Sequence, residues 1–270
     1  MPHQPEGFAY EVSPAEPRPG SLAPEAQAAL EEVLARDDPA ILGVVLTGSA
    51  ARGIPTEHSD VDVYVVLTDE ARVGRTTSHG RYIDEIPQSL ADLEDVPQWG
   101  GDEWGYRWGF CRTKVLRDET GGRIAAALHR MENLTAEEQR RMLLDGDQLD
   151  GYINMAYRAL KSDRDGRPLE RRLDAAESVH WWLDVVFTLS GRVRPYNKYL
   201  AWELREHALS VPEWSADRLL PQVEAVLDGD ADAVRAAYAV VERECRPFPH
   251  LWEQIESWGD ELLLIRGSTR

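Results

Sequence analysis

The sequence predicts a chain in two parts: an α/β region built on a mixed sheet with flanking helices, followed by an all-α helical bundle. Three observations predict it. Short β-branched apolar runs bounded by glycine and turn residues are concentrated ahead of Arg123 and nearly absent beyond it. From Arg123 onward they give way to stretches with 3.6-residue periodicity, among them IAAALHRM, GYINMAYRALKS and LDAAESVHWWLDVVFTL. The length, 270 residues with 43% hydrophobic composition, is enough for one large domain or two ordinary ones. The expected division is an N-terminal arm over 1–22, an α/β domain over 23–130 and a helical domain over 131–270.

The arm is Pro-rich and charged, with little periodicity and no apolar stretch of the signal-peptide kind, and no later run approaches the length of a bilayer span. A cytoplasmic protein without a membrane partner is expected. From Pro24, PEAQAALEEVLARDD sets Ala26, Leu30, Val33 and Leu34 at helical spacing behind a proline suited to a first turn. ILGVVLTG (41–48) and VDVYVVLT (61–68) read as strands around the loop SAARGIPTEHS. RYIDEI (81–86) and GFCRTKVL (109–116) read as two more, and DETGG (118–122) as a turn. The Trp- and Gly-rich connection between those last two strands has no assigned structure. Cys111 and Cys245 are far apart and outside any CxxC pair, which points to two buried small hydrophobes rather than a disulfide or a zinc site.

Charge narrows the function classes. Forty-eight Asp and Glu against thirty Lys and Arg leave a net −18 and a pI near 4.8. A chain so acidic is poorly suited to gripping a polyanion, so nucleic acid is not the expected partner, and a cationic one is favoured.

The segment that carries chemistry runs from Leu46 to Val63. A strand leads into Gly48-Ser49, where glycine permits a tight turn and close approach to a ligand, and the following Ala-Ala-Arg52-Gly stretch reads as a helix start that favours an anion such as phosphate. On the next strand, Asp60 and Asp62 are two apart, so the strand's period of two sends both carboxylates to one side. Paired carboxylates repel each other unless a cation sits between them. Magnesium meets that need, because it takes oxygen ligands from one or two carboxylates together with substrate phosphates. A Gly-Ser phosphate cradle beside a metal-binding acidic pair is the chemistry of metal-assisted nucleotidyl transfer.

This Gly48-Ser49, Arg52, Asp60-Val61-Asp62 pattern resembles the signature of the nucleotidyltransferase superfamily that includes DNA polymerase beta. The α/β-then-helical layout is similar to that of the small bacterial aminoglycoside and streptomycin nucleotidyltransferases. The resemblance implies in-line attack by an acceptor hydroxyl on the α-phosphorus of a nucleoside triphosphate, with ATP as co-substrate, AMP as the group moved and pyrophosphate as the leaving group. It implies Mg2+ on Asp60 and Asp62, distal phosphates on Gly48, Ser49 and Arg52, and a third carboxylate on a later strand. Asp84 is the preferred candidate for that carboxylate and Glu85 the alternative, since adjacent strand residues face opposite ways. In the antibiotic enzymes a lysine of the helical domain reaches the triphosphate. Lys198, in the Arg192-Val-Arg194-Pro-Tyr-Asn-Lys198 cluster, has the comparable place in this chain. A small cationic acceptor such as an aminoglycoside fits the acidic composition.

Other residues have ordinary readings beside functional ones. Glu177 is an acceptor-site candidate or a solvated helix-face acid, His58 a loop histidine beside the acidic pair, and His180 a helix-face or core histidine. Trp181, Trp182, Trp202 and Trp252 fall in apolar helical stretches and read as core, leaving Trp99, Trp104 and Trp108 to line a cleft. A function of a different class is a nucleotidyltransferase-type antitoxin that modifies or binds a protein partner, although the helical half shows no Arg-x-x-x-x-His ribonuclease motif. A third is a degenerate enzyme that senses nucleotide, which the retention of both Asp60 and Asp62 disfavours.

Overall fold

The computed structural model describes residues 22–267, so the expected arm lies, but for Leu22, outside the described residues. The described residues divide into two compact units, one of residues 22–90 with 112–124 and the other of 91–111 with 125–267. The predicted α/β and helical halves are both present, with one feature that sequence left unassigned: the Trp- and Gly-rich connection packs with the helical unit.

In the first unit the order is α1 (Pro24–Leu34), β1 (Ile41–Leu46), α2 (Gly48–Ala51), β2 (Val61–Leu67), α3 (Asp69–Arg72), β3 (Ser78–His79) and β4 (Ile83–Ser89). After α4 (Leu90–Glu94) and the connection come β5 (Lys114–Asp118) and the start of α5 (Arg123–Glu132). The sheet order is β3-β4-β2-β1-β5, with β2 parallel to β4 and every other pair antiparallel. Alternation decides its faces. Val61, Val63, Val65 and Leu67 pack with Ala26, Leu30 and Val33 of α1 in one apolar cluster, which sends Asp62, Tyr64 and Val66 to the opposite face. Gly43 in β1 is needed for close packing, since a β-carbon there would lie 2.7 Å from the backbone carbonyl oxygen of Arg117.

Two strands differ from expectation. The third begins at Ile83 instead of Arg81 because Gly80 N–H donates to the Ile83 carbonyl at 2.9 Å, closing a tight turn that consumes Arg81 and Tyr82. Pro87 is tolerated in β4 because β3 pairs only with Asp84 and Glu85, leaving that edge without a ladder further along. The last strand is Lys114–Asp118 instead of 109–116, since Trp104–Phe110 winds into a 3-10 helix. Arg107, fully buried, holds that helix. Its guanidinium donates to the carbonyls of Pro97, Arg130, Met131 and Asn133 at 3.0–3.2 Å and to Glu138 Oε1 at 2.6 Å.

The second unit continues with α6 (Ala136–Arg140), α7 (Gln148–Arg164), α8 (Pro168–Leu189), α9 (Leu200–Glu206), α10 (Ala216–Leu227), α11 (Ala231–Cys245), α12 (Pro249–Glu256) and α13 (Leu262–Ile265). A hairpin of α7 and α8 is its spine, and Tyr152, Ile153, Leu160, Trp182, Val186 and Trp214 are among its fully buried side chains. Both cysteines are buried, and neither forms a disulfide. No helix among the described residues is long and apolar enough to cross a membrane.

Candidate active site

The site is built where β1 ends. Thr47 N–H donates to the Asp62 carbonyl at 2.9 Å, which keeps the chain beside β2 as it turns. Gly48 follows at φ +67°, in the left-handed region, and a β-carbon there would stand 2.3 Å from Asp62 Oδ2. Glycine is therefore required twice, by backbone conformation and by the carboxylate next to it. The expected helix after it is a single turn, α2, so any phosphate affinity rests on the local backbone and not on a helix dipole. Ser49 is half-buried in that turn and its carbonyl accepts from Ile54 N–H at 3.0 Å. Arg52 is buried, and its Nη1 donates to the Gly48 carbonyl at 2.6 Å, so the arginine braces the turn from within.

Three carboxylates converge beside the turn. Asp60 is exposed just ahead of β2, Asp62 lies within β2, and Asp84 sits opposite Asp62 in the parallel register of β4. One oxygen from each of the three falls within 4.8 Å of the others. Glu85, the other candidate, points to the α1 side, where Arg36 clasps both of its oxygens at 2.5 and 2.7 Å. Strand alternation thus separates the two neighbours, and Asp84 is the one brought to Asp60 and Asp62. Three negative charges this close are disfavoured without a cation, and an all-oxygen set of carboxylates that water and phosphate would complete suits Mg2+ in chemistry. The residues fit a divalent metal.

One neighbour escaped the sequence reading. His79 of β3 donates from Nδ1 to Asp84 Oδ2 at 2.7 Å, across the hairpin that Gly80 closes. The signal was present in Ser78-His-Gly-Arg-Tyr-Ile-Asp84, but the two-residue strand was too short to read. His58 is exposed beside Glu57 and does not join the carboxylates.

In the helical unit, Lys198 is exposed on a 3-10 turn, Asn197–Tyr199, with its ammonium 4.8 Å from the centroid of the Tyr199 ring. Tyr199 stacks on Trp108 at 5.2 Å, so Trp108 is buried as part of the support for this turn and does not line an open cleft. Trp99 and Trp104 meet edge to face at 5.2 Å and are half-buried. Arg192 is bound to Glu203 and to the His207 carbonyl. Arg194 donates to the His180 carbonyl, Asp184 and Asn197. Burial pushes the Asp184 carboxyl above its ordinary range against the pull of Arg194 and His180. Glu177 is exposed on α8.

Fold and acidic cluster together suit nucleotidyl transfer, and the family comparison agrees with that class. Residues 28–97, from within α1 past the end of β4, match the family model of the nucleotidyltransferase domain, and this stretch contains Gly48, Ser49, Asp60, Asp62 and Asp84. The chain thus carries a nucleotidyltransferase domain over residues 28–97. Among solved structures, a nucleotidyltransferase-like protein from Exiguobacterium sibiricum 255-15 is similar at 14% sequence identity and a TM-score of 0.39, over 91% of this chain and 80% of its own. No curated protein matches the sequence.

Proposed function

We propose that this nucleotidyltransferase moves AMP from ATP to a hydroxyl of a small cationic acceptor of the aminoglycoside kind, with Mg2+, releasing pyrophosphate. The observation that carries the reading is the convergence of Asp60, Asp62 and Asp84 within 4.8 Å beside the Gly48-Ser49 turn. Mg2+ bound there supplies charge neutralisation for the reacting phosphate and the leaving group. Asp60 and Asp62 hold it, and Asp84 completes the set. Gly48 leaves room for the triphosphate to approach the backbone, and the Ser49 hydroxyl and backbone N–H are donors for its distal oxygens. The acceptor oxygen forms a bond to the α-phosphorus as the bond from that phosphorus to the bridging oxygen breaks. The electron pair departs with pyrophosphate, and the hydroxyl proton passes to a carboxylate or to water.

Two parts of the reading have their own support. The net charge of −18 supports a cationic acceptor, because it raises the local concentration of polycations. The assignment of Lys198 to the triphosphate rests on the sequence resemblance alone.

The test is pyrophosphate release by purified protein with ATP and Mg2+ against a panel of aminoglycosides and related amino-alcohols. Acceptor-dependent release, lost in Asp60→Asn and Asp62→Asn while their melting curves persist, is the expected result. Full activity in both variants would overturn the mechanism. Silence across the whole panel would overturn the acceptor class.

A further inference from the structure

His79 has no part in the proposed transfer chemistry, yet the local fold is arranged around its contact with Asp84. The strand that bears it has two residues, both exposed, and buries no apolar side chain. That strand is held by pairing of Ser78 with Glu85 and of His79 with Asp84, and by the Gly80–Ile83 turn. A β-carbon on Gly80 would come within 2.5 Å of the Ile83 carbonyl oxygen, so the tightness of the turn, and with it the register that sets His79 against Asp84, depends on glycine.

We propose that His79 is a positioning residue for the third carboxylate, holding Asp84 turned toward Asp60 and Asp62 so that the three bind a divalent cation together. The inference rests on the metal reading above. A carboxylate on a strand can rotate about its two side-chain torsions, and three like charges favour rotation apart. A hydrogen bond from Nδ1 to Oδ2 at 2.7 Å removes much of that freedom and offsets part of the repulsion. Hydrogen-bond partners of metal-binding carboxylates act in this way, and losing one weakens metal affinity by about 10- to 100-fold. The side chain of His79 is 75% exposed against 16% for Asp84, which favours the lower end of that range.

The experiment is Mn2+ binding to the full chain without nucleotide, followed by the paramagnetic resonance signal of the free ion. The set is wild type, His79→Ala, His79→Asn, Asp84→Asn, the His79→Ala/Asp84→Asn double variant and Asp62→Asn. His79→Ala should weaken binding about tenfold. His79→Asn, whose amide can donate from nearly the position of Nδ1, should restore it to within about threefold of wild type. In the Asp84→Asn background, His79→Ala should add nothing, because the histidine acts through that carboxylate. Unchanged affinity in His79→Ala, equal loss in both backgrounds, or failure of His79→Asn to recover binding would each overturn the proposal. The metal reading would survive these outcomes provided Asp62→Asn abolishes binding. A wild-type chain that binds no Mn2+ would overturn both.

Discussion

Asp62 and Asp84 are partners in the parallel register of β2 and β4, while Glu85, one residue on, is held on the other face by Arg36. Since the β2 residues flanking Asp62 belong to the cluster under α1, the face carrying the two aspartates is the one left for chemistry. Asp84→Asn should lower the rate of nucleotidyl transfer by about 100-fold or more, the scale on which electrostatic and positioning groups act. Glu85→Gln should leave the rate within about threefold and cost no more than about 1 kcal/mol of stability, as for other partly exposed ion pairs. Steady-state kinetics and denaturant titration of the pair decide it, and the reverse ranking would move the third carboxylate to Glu85.

Gly48→Ala tests the turn. The new side chain meets φ +67° and an oxygen of Asp62 at 2.3 Å. Left-handed backbone costs a non-glycine residue about 1–2 kcal/mol, and displacing Asp62 by even 1 Å costs about 100-fold in rate. Activity should therefore fall far more than stability. Loss of stability alone, with the rate per folded molecule intact, would show that the turn does not position the carboxylate.

Arg107 and Glu138 are the structural counterpart in the helical unit. The guanidinium is wholly buried, with carbonyls and one carboxylate as its partners. Arg107→Ala should destabilise by about 3–5 kcal/mol, the usual consequence of breaking a buried pair, because it strands the carbonyls and leaves Glu138 without its cation. Glu138→Gln should cost less, since the Thr135 capping box retains hydrogen-bond partners for it. Chemical denaturation of the two variants should show that order.

The Glu213–Arg243 pair sets an acid-side prediction. Arg243 donates to both Glu213 oxygens at 2.6 and 3.0 Å and lowers that carboxyl from 4.5 to about 2. With the folded value depressed, the pair's stabilisation is present above pH 4.5 and is lost as pH falls toward 2. Thermal melts should show a shallower decline over that window for Glu213→Gln than for wild type. The pair is solvent-exposed, so the difference should be small and should shrink with added salt.

Much of the first unit was legible because its signals are local. A run such as VDVYVVL is strand-forming wherever it lies, and Asp60-Val-Asp62 shares a side by strand geometry alone. Gly48-Ser49 announced a turn for the same reason. Strand ends were less legible: the Gly80–Ile83 bond that delays β4 and the Arg107 network that winds 104–110 into a 3-10 helix both depend on partners outside the segment read.

The sequence by itself determined the two-part architecture, the acidic pair and the glycine beside it, since periodicity and residue spacing encode these within a few neighbours. Only tertiary structure decided between Asp84 and Glu85, because the answer is which face of β4 meets β2's aspartates and which meets Arg36. It also brought His79 to Asp84 and buried Trp108 under Tyr199. Each of these depends on strand register or packing between elements distant in sequence, where the energy lies in contacts that no short window contains.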